Sequence, residues 1–313
     1  MPNLTAIIVD GGSDDGSADK LRLALEQPDF AGWTDFLPLS FNGGFGWANN
    51  QAILTLWQRD DEVEFIFLIN PDAEIASGAL VHLVSLLRLR GKAAAVGSQL
   101  LEPDGSETGS AFRFPSIGRE LLRGSRTFSI GKLIGINRVN IVSQAACQVD
   151  WVTGASVLFR SKALRQTGPF DDGFFLYFEE VELMSRLKKA GWEIWYEPRS
   201  RVMHIGGAAT GVSSAQEVIR KPMPAYWYAS RRRYFALAQG TSRTVLAGLA
   251  WLAGHAIWRV RTWLRLSDPN AETPFERRDF LHHGLAPSPT DLAPSIPSPG
   301  SAPGQMPAWS VTK

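Results

Sequence analysis

The chain of 313 residues has a single cysteine, Cys147, so no disulfide can form within it, which fits a reducing compartment. No Cys-His pattern surrounds Cys147, which reads as a small buried side chain rather than a nucleophile. Charge of one sign is also lacking. The net charge of +1 removes any bulk electrostatic case for nucleic acid. No Gly-x-Gly-x-x-Gly follows the first strand-like run, which argues against a dinucleotide oxidoreductase. A basic leader is missing, because Met1-Pro2-Asn3 passes straight into Leu4-Thr5-Ala6-Ile7-Ile8-Val9, so no signal peptide is expected. The apolar run Val245–Trp258 falls short of the roughly 18–20 residues needed to cross a bilayer. No internal repeat is visible.

What is present supports a sizeable core: hydrophobic residues make up 44% and charged residues 20%, enough for one large domain or two small ones. Leu4–Val9 reads as a buried strand ending in the turn Asp10–Ser17, and a helix follows through about Leu25. Phe36–Leu39 reads as a short strand, and Asn42-Gly43-Gly44-Phe45-Gly46 opens a helix through about Trp57. Phe65–Ile69 is a strand ending at Asn70-Pro71-Asp72. A helix is expected over Gly78–Leu89, strands over Ala93–Gly97, Val157–Phe159 and Glu193–Tyr196, and a helix over Val181–Ala190. This alternation predicts an α/β domain with a mostly parallel, Rossmann-like sheet flanked by helices. Ligands then bind beyond the carboxyl ends of the strands, where Asp10 and Asp72 stand. Residues 112–148 read as irregular, either mobile or facing an acceptor.

The C-terminal third differs. Arg231-Arg232-Arg233 precedes the apolar run, which Arg243, Arg259, Arg261 and Arg265 flank. With Trp251, Trp258 and Trp263, this predicts an interfacial membrane helix over 241–266, the alternative being a soluble helix on the sheet. From Ala286 onward Pro, Ser, Ala and Gly dominate, and 267–313 is expected to be a linker and disordered tail.

Phe174-Phe175-Leu176-Tyr177-Phe178-Glu179-Glu180-Val181-Glu182 places three carboxylates directly after an aromatic run. An apolar wall can desolvate such acids and raise a pKa, which suits a general base; acids also favour a helix N-terminus. Asp72 after a buried strand can hold a divalent metal or cap a turn, and Glu74 can be merely solvated. Asp10 can accept from a nucleobase N–H or close its own turn. The Gly-rich loop from Asn42 to Asn50 offers backbone N–H groups to phosphate. His204 fits a metal ligand or a structural histidine equally well.

Taken together and in order, these pieces resemble the family 2 inverting glycosyltransferases with the GT-A fold, in their rhamnosyltransferase-like branch. The matching residues are Val9–Ser17, Asn42-Gly43-Gly44-Phe45 with Asn50, Leu68–Asp72, Trp151-Val152-Thr153-Gly154-Ala155, Gly168-Pro169-Phe170-Asp171, Phe174–Glu182 and His204. The resemblance covers about residues 4–240, the span expected to form the catalytic domain. It implies that Asp10, Asn42, Gly44, Asn50, Asn70 and Asp72 bind a nucleotide-sugar. Asp72 and His204 would hold Mg²⁺ or Mn²⁺, and Trp151, Gly154 and Ala155 would line the sugar and acceptor pocket. Glu180 would be the general base, with Glu179 as a fallback. The implied reaction moves a sugar, rhamnose from a dTDP donor being the branch's example, to a polysaccharide or lipid-linked acceptor. The implied location is cytoplasmic, on the inner face of the cell membrane. The chain departs from the family twice. Glu179-Glu180-Val181-Glu182 stands where Glu-Asp-x-Asp is usual, and the family's first strand and helix have no counterpart before Leu4. The second departure implies an alternative, a truncated inactive relative that binds nucleotide-sugar.

Overall fold

The computed structural model describes residues 4–59, 62–127, 131, 136, 139–205 and 222–310. Its centre is a six-stranded sheet in the order β3 (Phe65–Ile69), β10 (Ser156–Arg160), β5 (Ala93–Leu101), β11 (Glu193–His204) and β4 (Ala73–Ile75), with β8 (Cys147–Val149) also on β11. Strands β5 and β11 pair in parallel, while β10 lies antiparallel between β3 and β5. The sheet is therefore mixed rather than mostly parallel. Sequence alternation identifies β10 as a strand but says nothing of its insertion between two earlier ones. A separate parallel pair joins β1 (Ala6–Asp10) to β2 (Thr34–Pro38). A small sheet orders β7 (Asn140–Ile141), β6 (Ala111–Phe112) and β9 (Trp151–Val152).

Side-chain alternation on β10 sorts the core into two layers. Val157 and Phe159 face a cluster with Ile53, Leu54 and Trp57 of α2 (Phe45–Arg59), and with Leu183, Met184 and Leu187 of the helix at Glu179–Lys189. Leu158 faces Leu83, Leu86 and Leu87 of the helix at Ala79–Leu89. Helices thus cover both faces of the sheet, as a buried central strand requires. In chain order the helices are α1 (Ser17–Leu25), α2, α3 (Ala79–Leu89), α4 (Ile117–Ser125), α5 (Ser161–Thr167), α6 (Glu179–Lys189), α7 (Ala225–Gln239), α8 (Thr241–Trp263), α9 (Glu276–His283) and α10 (Pro289–Leu292).

Strand β11 runs beyond the expected Tyr196. Pro198 marks a stop in sequence, but a register shift between Glu197 and Arg201 absorbs it, and the strand resumes to His204. The described part of 112–148 holds a helix where the sequence reads as irregular: α4, capped by Ser116 accepting from the Arg119 amide.

The C-terminal third corrects two expectations. The triplet Arg231-Arg232-Arg233 makes ion pairs within the fold. Arg231 pairs with Glu120 at 2.6 Å, Arg232 with Asp291 at 2.5 Å and Arg233 with Asp171 at 2.7 Å. Trp251 and Trp258 are buried rather than in contact with lipid headgroups. Facing glycines let α8 lie against α4: a Cβ on Gly124 would meet the Trp251 carbonyl oxygen at 2.3 Å, and one on Gly254 the Leu121 carbonyl oxygen at 2.2 Å. The described tail, through Ser310, is packed, not disordered. Arg233 donates to the Thr290 and Ala293 carbonyls, the Asp172 amide to the Ser295 carbonyl, and the Trp47 indole to the Gln305 carbonyl. Proline removes donors but leaves carbonyls, and these acceptors meet donors from α2, α7 and the Asp171-Asp172 loop.

Candidate active site

The expected site residues lie on loops joined to one another by close contacts. Strand β1 ends at buried Asp10, whose Oδ2 accepts from the Gly12 and Ser13 amides at 3.2 and 3.1 Å. Gly12, at φ +80, leaves its Cβ position 3.0 Å from the Phe41 amide, so the Asp10 turn touches the loop carrying Asn42. Exposed Asn42 closes that loop by accepting from the Gly44 amide at 3.1 Å.

Gly44 has φ +88, and a Cβ there would stand 1.8 Å from the Phe175 carbonyl oxygen. Only glycine permits both this backbone and this approach. The same carbonyl accepts from the Phe45 amide at 3.2 Å, so the loop opening α2 is tied to the segment leading into Glu179 and Glu180. The Phe45 ring also lies 3.0 Å from the Cβ position of Gly154. The next residue, Ala155, accepts from the Asn70 amide at 3.0 Å. Asn70 Nδ2 lies 3.3 Å from His204 Nε2, and that nitrogen lies 3.2 Å from Asp72 Oδ1. Pairing of β11 with β4 brings His204 opposite Ala73, and the Ile205 amide donates to the Asp72 carbonyl at 3.0 Å. Glu74 is exposed.

A carboxylate oxygen and an imidazole nitrogen, both partly open to solvent, fit a divalent cation that takes its remaining ligands from a diphosphate. Among the described residues no cluster of three or more His, Cys, Asp or Glu could hold a metal, and Asp72 with His204 offers two ligands.

Glu179 and Glu180 begin α6 after an unusual stretch of backbone. Tyr177 and Phe178 have φ of 70° and 68°, left-handed conformations costing roughly 1–3 kcal/mol each for such residues. Aromatic contacts hold them: Tyr177 stacks on Tyr226 at 6.1 Å, and Phe178 lies 5.7 Å from Trp227 and 5.8 Å from Tyr234. Oε2 of both glutamates is buried with no hydrogen-bond partner. Burial pushes Glu180 up to about 7, overcoming hydrogen bonds from its own and the Val181 amide. Glu179 is raised well above the usual carboxylate range, first by burial and then by the charge of Glu180. The third acid, Glu182, pairs with Arg186 at 2.9 Å and serves the fold.

Two expected residues have other partners. Asn50 is fully buried, and its amide accepts from the Phe170 amide at 3.0 Å and donates to the Phe170 carbonyl and Asp172 Oδ1 at 2.8 and 2.7 Å. Its side chain is thus committed to bracing the 170–172 loop, which corrects the expectation of a nucleotide-sugar contact. Half-buried Trp151 stacks on Phe112 at 4.2 Å and packs beside Phe174 and Val181, near the glutamates through the core.

Two features escaped the sequence. Asp172 is pushed up to about 7, mainly by burial. Trp309 sits 5.7 Å from the Phe41 ring and 5.1 Å from Phe175, spanning the loops of Asn42 and of the glutamates. The aromatic content of the Phe41 and Phe175 segments was visible, but nothing local pointed to a partner so far along the chain.

No family profile matches the chain. It is 28% identical over 277 residues to N-acetylglucosaminyl-diphospho-decaprenol L-rhamnosyltransferase of Mycobacterium tuberculosis strains CDC 1551 and H37Rv, covering 84% of this chain and 86% of that protein. It is 26% identical over 169 residues to rhamnosyltransferase WbbL of Escherichia coli K12, covering 51% of this chain and 60% of that one. Its fold matches the crystal structure of GalNAc-T7 with UDP, GalNAc and Mn²⁺ at a TM-score of 0.54 and 11% identity, over 90% of this chain. The chain spans about half the length of that structure, 48%.

Proposed function

We propose that this glycosyltransferase, rhamnosyltransferase-like and built on the GT-A fold, moves a sugar, rhamnose from a dTDP donor being the leading candidate, to a lipid-linked saccharide with inversion at the anomeric carbon. One observation carries the reading. The Asp72–His204 pair and the Glu179–Glu180 pair with its buried Oε2 atoms, both expected from sequence, lie at element ends tied together through Phe45 and Phe175. The acceptor class rests on the relatives, whose name specifies a saccharide on a decaprenol diphosphate.

In this reading the Asp10 turn and the Asn42–Gly44 loop receive the nucleotide, and Gly154 and Ala155 back the sugar. Glu180, as a carboxylate, removes the proton from the acceptor hydroxyl. The hydroxyl oxygen then bonds to the anomeric carbon while the bond to the diphosphate breaks. Burial makes Glu180 a stronger base than a solvated glutamate, and its unpartnered oxygen leaves room for the incoming proton. Asp72 and His204 would hold Mg²⁺ or Mn²⁺, which supplies charge neutralisation for the diphosphate. A lipid-linked acceptor and a nucleotide-sugar donor would meet this protein at the inner face of the cell membrane.

The test is release of nucleoside diphosphate from dTDP-rhamnose with a prenyl-diphosphate saccharide and added Mn²⁺ or Mg²⁺. Asp72→Ala is expected to abolish turnover and to weaken Mn²⁺ binding measured directly by calorimetry. An Asp72→Ala protein that turns over normally sinks the metal assignment. A folded wild-type protein that binds donor without turnover supports the non-catalytic alternative.

A further inference from the structure

We infer that the outward face of α8, with the arginine-lined pocket at its C-terminal end, docks on an anionic lipid surface and seats a phosphate headgroup. Its biological sense rests on the lipid-linked acceptor proposed above. Helix α8 buries Thr244, Ala247, Gly248, Trp251, Gly254, His255 and Trp258. At 100° per residue these define one side, so the opposite side should be polar if it faced only water. Instead Leu246, Leu249, Ile257, Val260 and Trp263 stand there, from 45% exposed at Ile257 to 81% at Trp263, and Leu264 continues the line.

Charge identifies the partner. The 23 residues of α8 contain no Asp or Glu, and its arginines flank the apolar stripe, Arg243 and Arg261 on one side and Arg259 on the other. Arg259 also lines a pocket of about 330 Å³ with Glu272, Thr273, Phe275, Arg277 and Arg278. Glu272 lies 2.9 Å from His255, Glu276 pairs with Arg126 at 2.5 Å, and Asp279 pairs with the pocket's Arg278 at 3.1 Å. Among the described residues, Arg259 and Arg277 have no ion-pair partner. A second copy of this face would bring arginine against arginine, whereas an anionic bilayer complements both the stripe and its flanks. No helix among the described residues is long and apolar enough to cross a membrane, so the contact is with the surface.

The experiment is co-sedimentation of the full chain with vesicles of phosphatidylcholine alone and with added phosphatidylglycerol. Binding is expected only with phosphatidylglycerol, and it should weaken as salt rises. Val260→Glu with Trp263→Glu should lower the vesicle partition coefficient at least about ten-fold. Arg259→Glu with Arg277→Glu should lower it by about five-fold or more per site. All four positions lie outside the site above, so turnover of a short-chain, water-soluble acceptor should stay unchanged in these variants. That readout separates failure of docking from failure of the proposed reaction. Absence of binding to phosphatidylglycerol vesicles, equal binding to phosphatidylcholine alone, or undiminished binding by either variant overturns the inference. So does a dimer seen by light scattering that the Val260/Trp263 variant dissolves, because a second copy would then cover the face.

Discussion

Replacing Glu180 by Gln keeps the side chain's size and removes its charge, which gives opposite effects on catalysis and stability. The unfolded chain ionises this group near 4.5, whereas the folded protein holds its proton until about 7. Between those values the folded state binds more protons, so stability is fully present below pH 4.5 and is lost as pH rises through about 7. At about 1.4 kcal/mol per pH step, the loss amounts to about 3 kcal/mol. Glu180→Gln cannot ionise, so it should escape this loss and melt at a higher temperature than the wild type above neutral pH. It also removes the charge that helps to raise Glu179, so only the slope due to Glu179's own burial should remain. Transfer should fall by roughly 10²–10⁴-fold with donor binding retained. In the wild type, transfer should climb as pH rises through about 7, since only the carboxylate can accept a proton. Melting curves across this range, beside nucleoside diphosphate release, test both halves. A variant with full transfer refutes the base assignment. One whose stability falls with pH as steeply as the wild type's refutes the desolvation argument.

Other substitutions probe the framework. Gly44→Ala should destabilise by about 2 kcal/mol or more, because both its φ and the Phe175 carbonyl forbid a side chain, and thermal melting reads the loss. Asn50→Leu should cost about 2–4 kcal/mol by leaving the Phe170 amide and carbonyl without a partner, again read by melting, and should lower activity by releasing the 170–172 loop. Arg231→Met should cost about 1–3 kcal/mol in chemical denaturation, because buried Glu120 loses one of its two arginine partners and keeps Arg123.

Much of the site was legible because strand ends are local. Asp10 and Asp72 follow short apolar runs, and Glu179 and Glu180 follow an aromatic one, so spacing alone marks them as polar groups at the rim of a core. The fold class was legible from alternating strands and helices, but the antiparallel insertion of β10 was not, because pairing is a long-range choice. Asn50 misled for the same reason: its partners lie 120 residues away, and a Gly-rich loop reads alike whether it faces phosphate or protein. The proline-rich tail misled because composition reports how few donors a segment has, not how many carbonyls its neighbours can satisfy. The partners of the arginine triplet, Glu120, Asp171 and Asp291, lie in three distant segments, which local composition does not show.

The facing glycines of α4 and α8 have a mechanical consequence. Where Gly124 and Gly254 meet, backbone rests on backbone, and no side-chain rotamer lies between the helices to take up motion. Arg231 of α7 clamps the same block through Glu120 of α4. A helix mounted so stiffly behaves as a fixed leg rather than a tether. If the proposed docking holds, the mounting would set the height of the reaction centre above the lipid. Saccharides whose accepting hydroxyl lies at that height would be reached, and shorter or longer ones passed over. Acceptor length would then be measured by the seat of a helix, without any contact to the sugars that are counted.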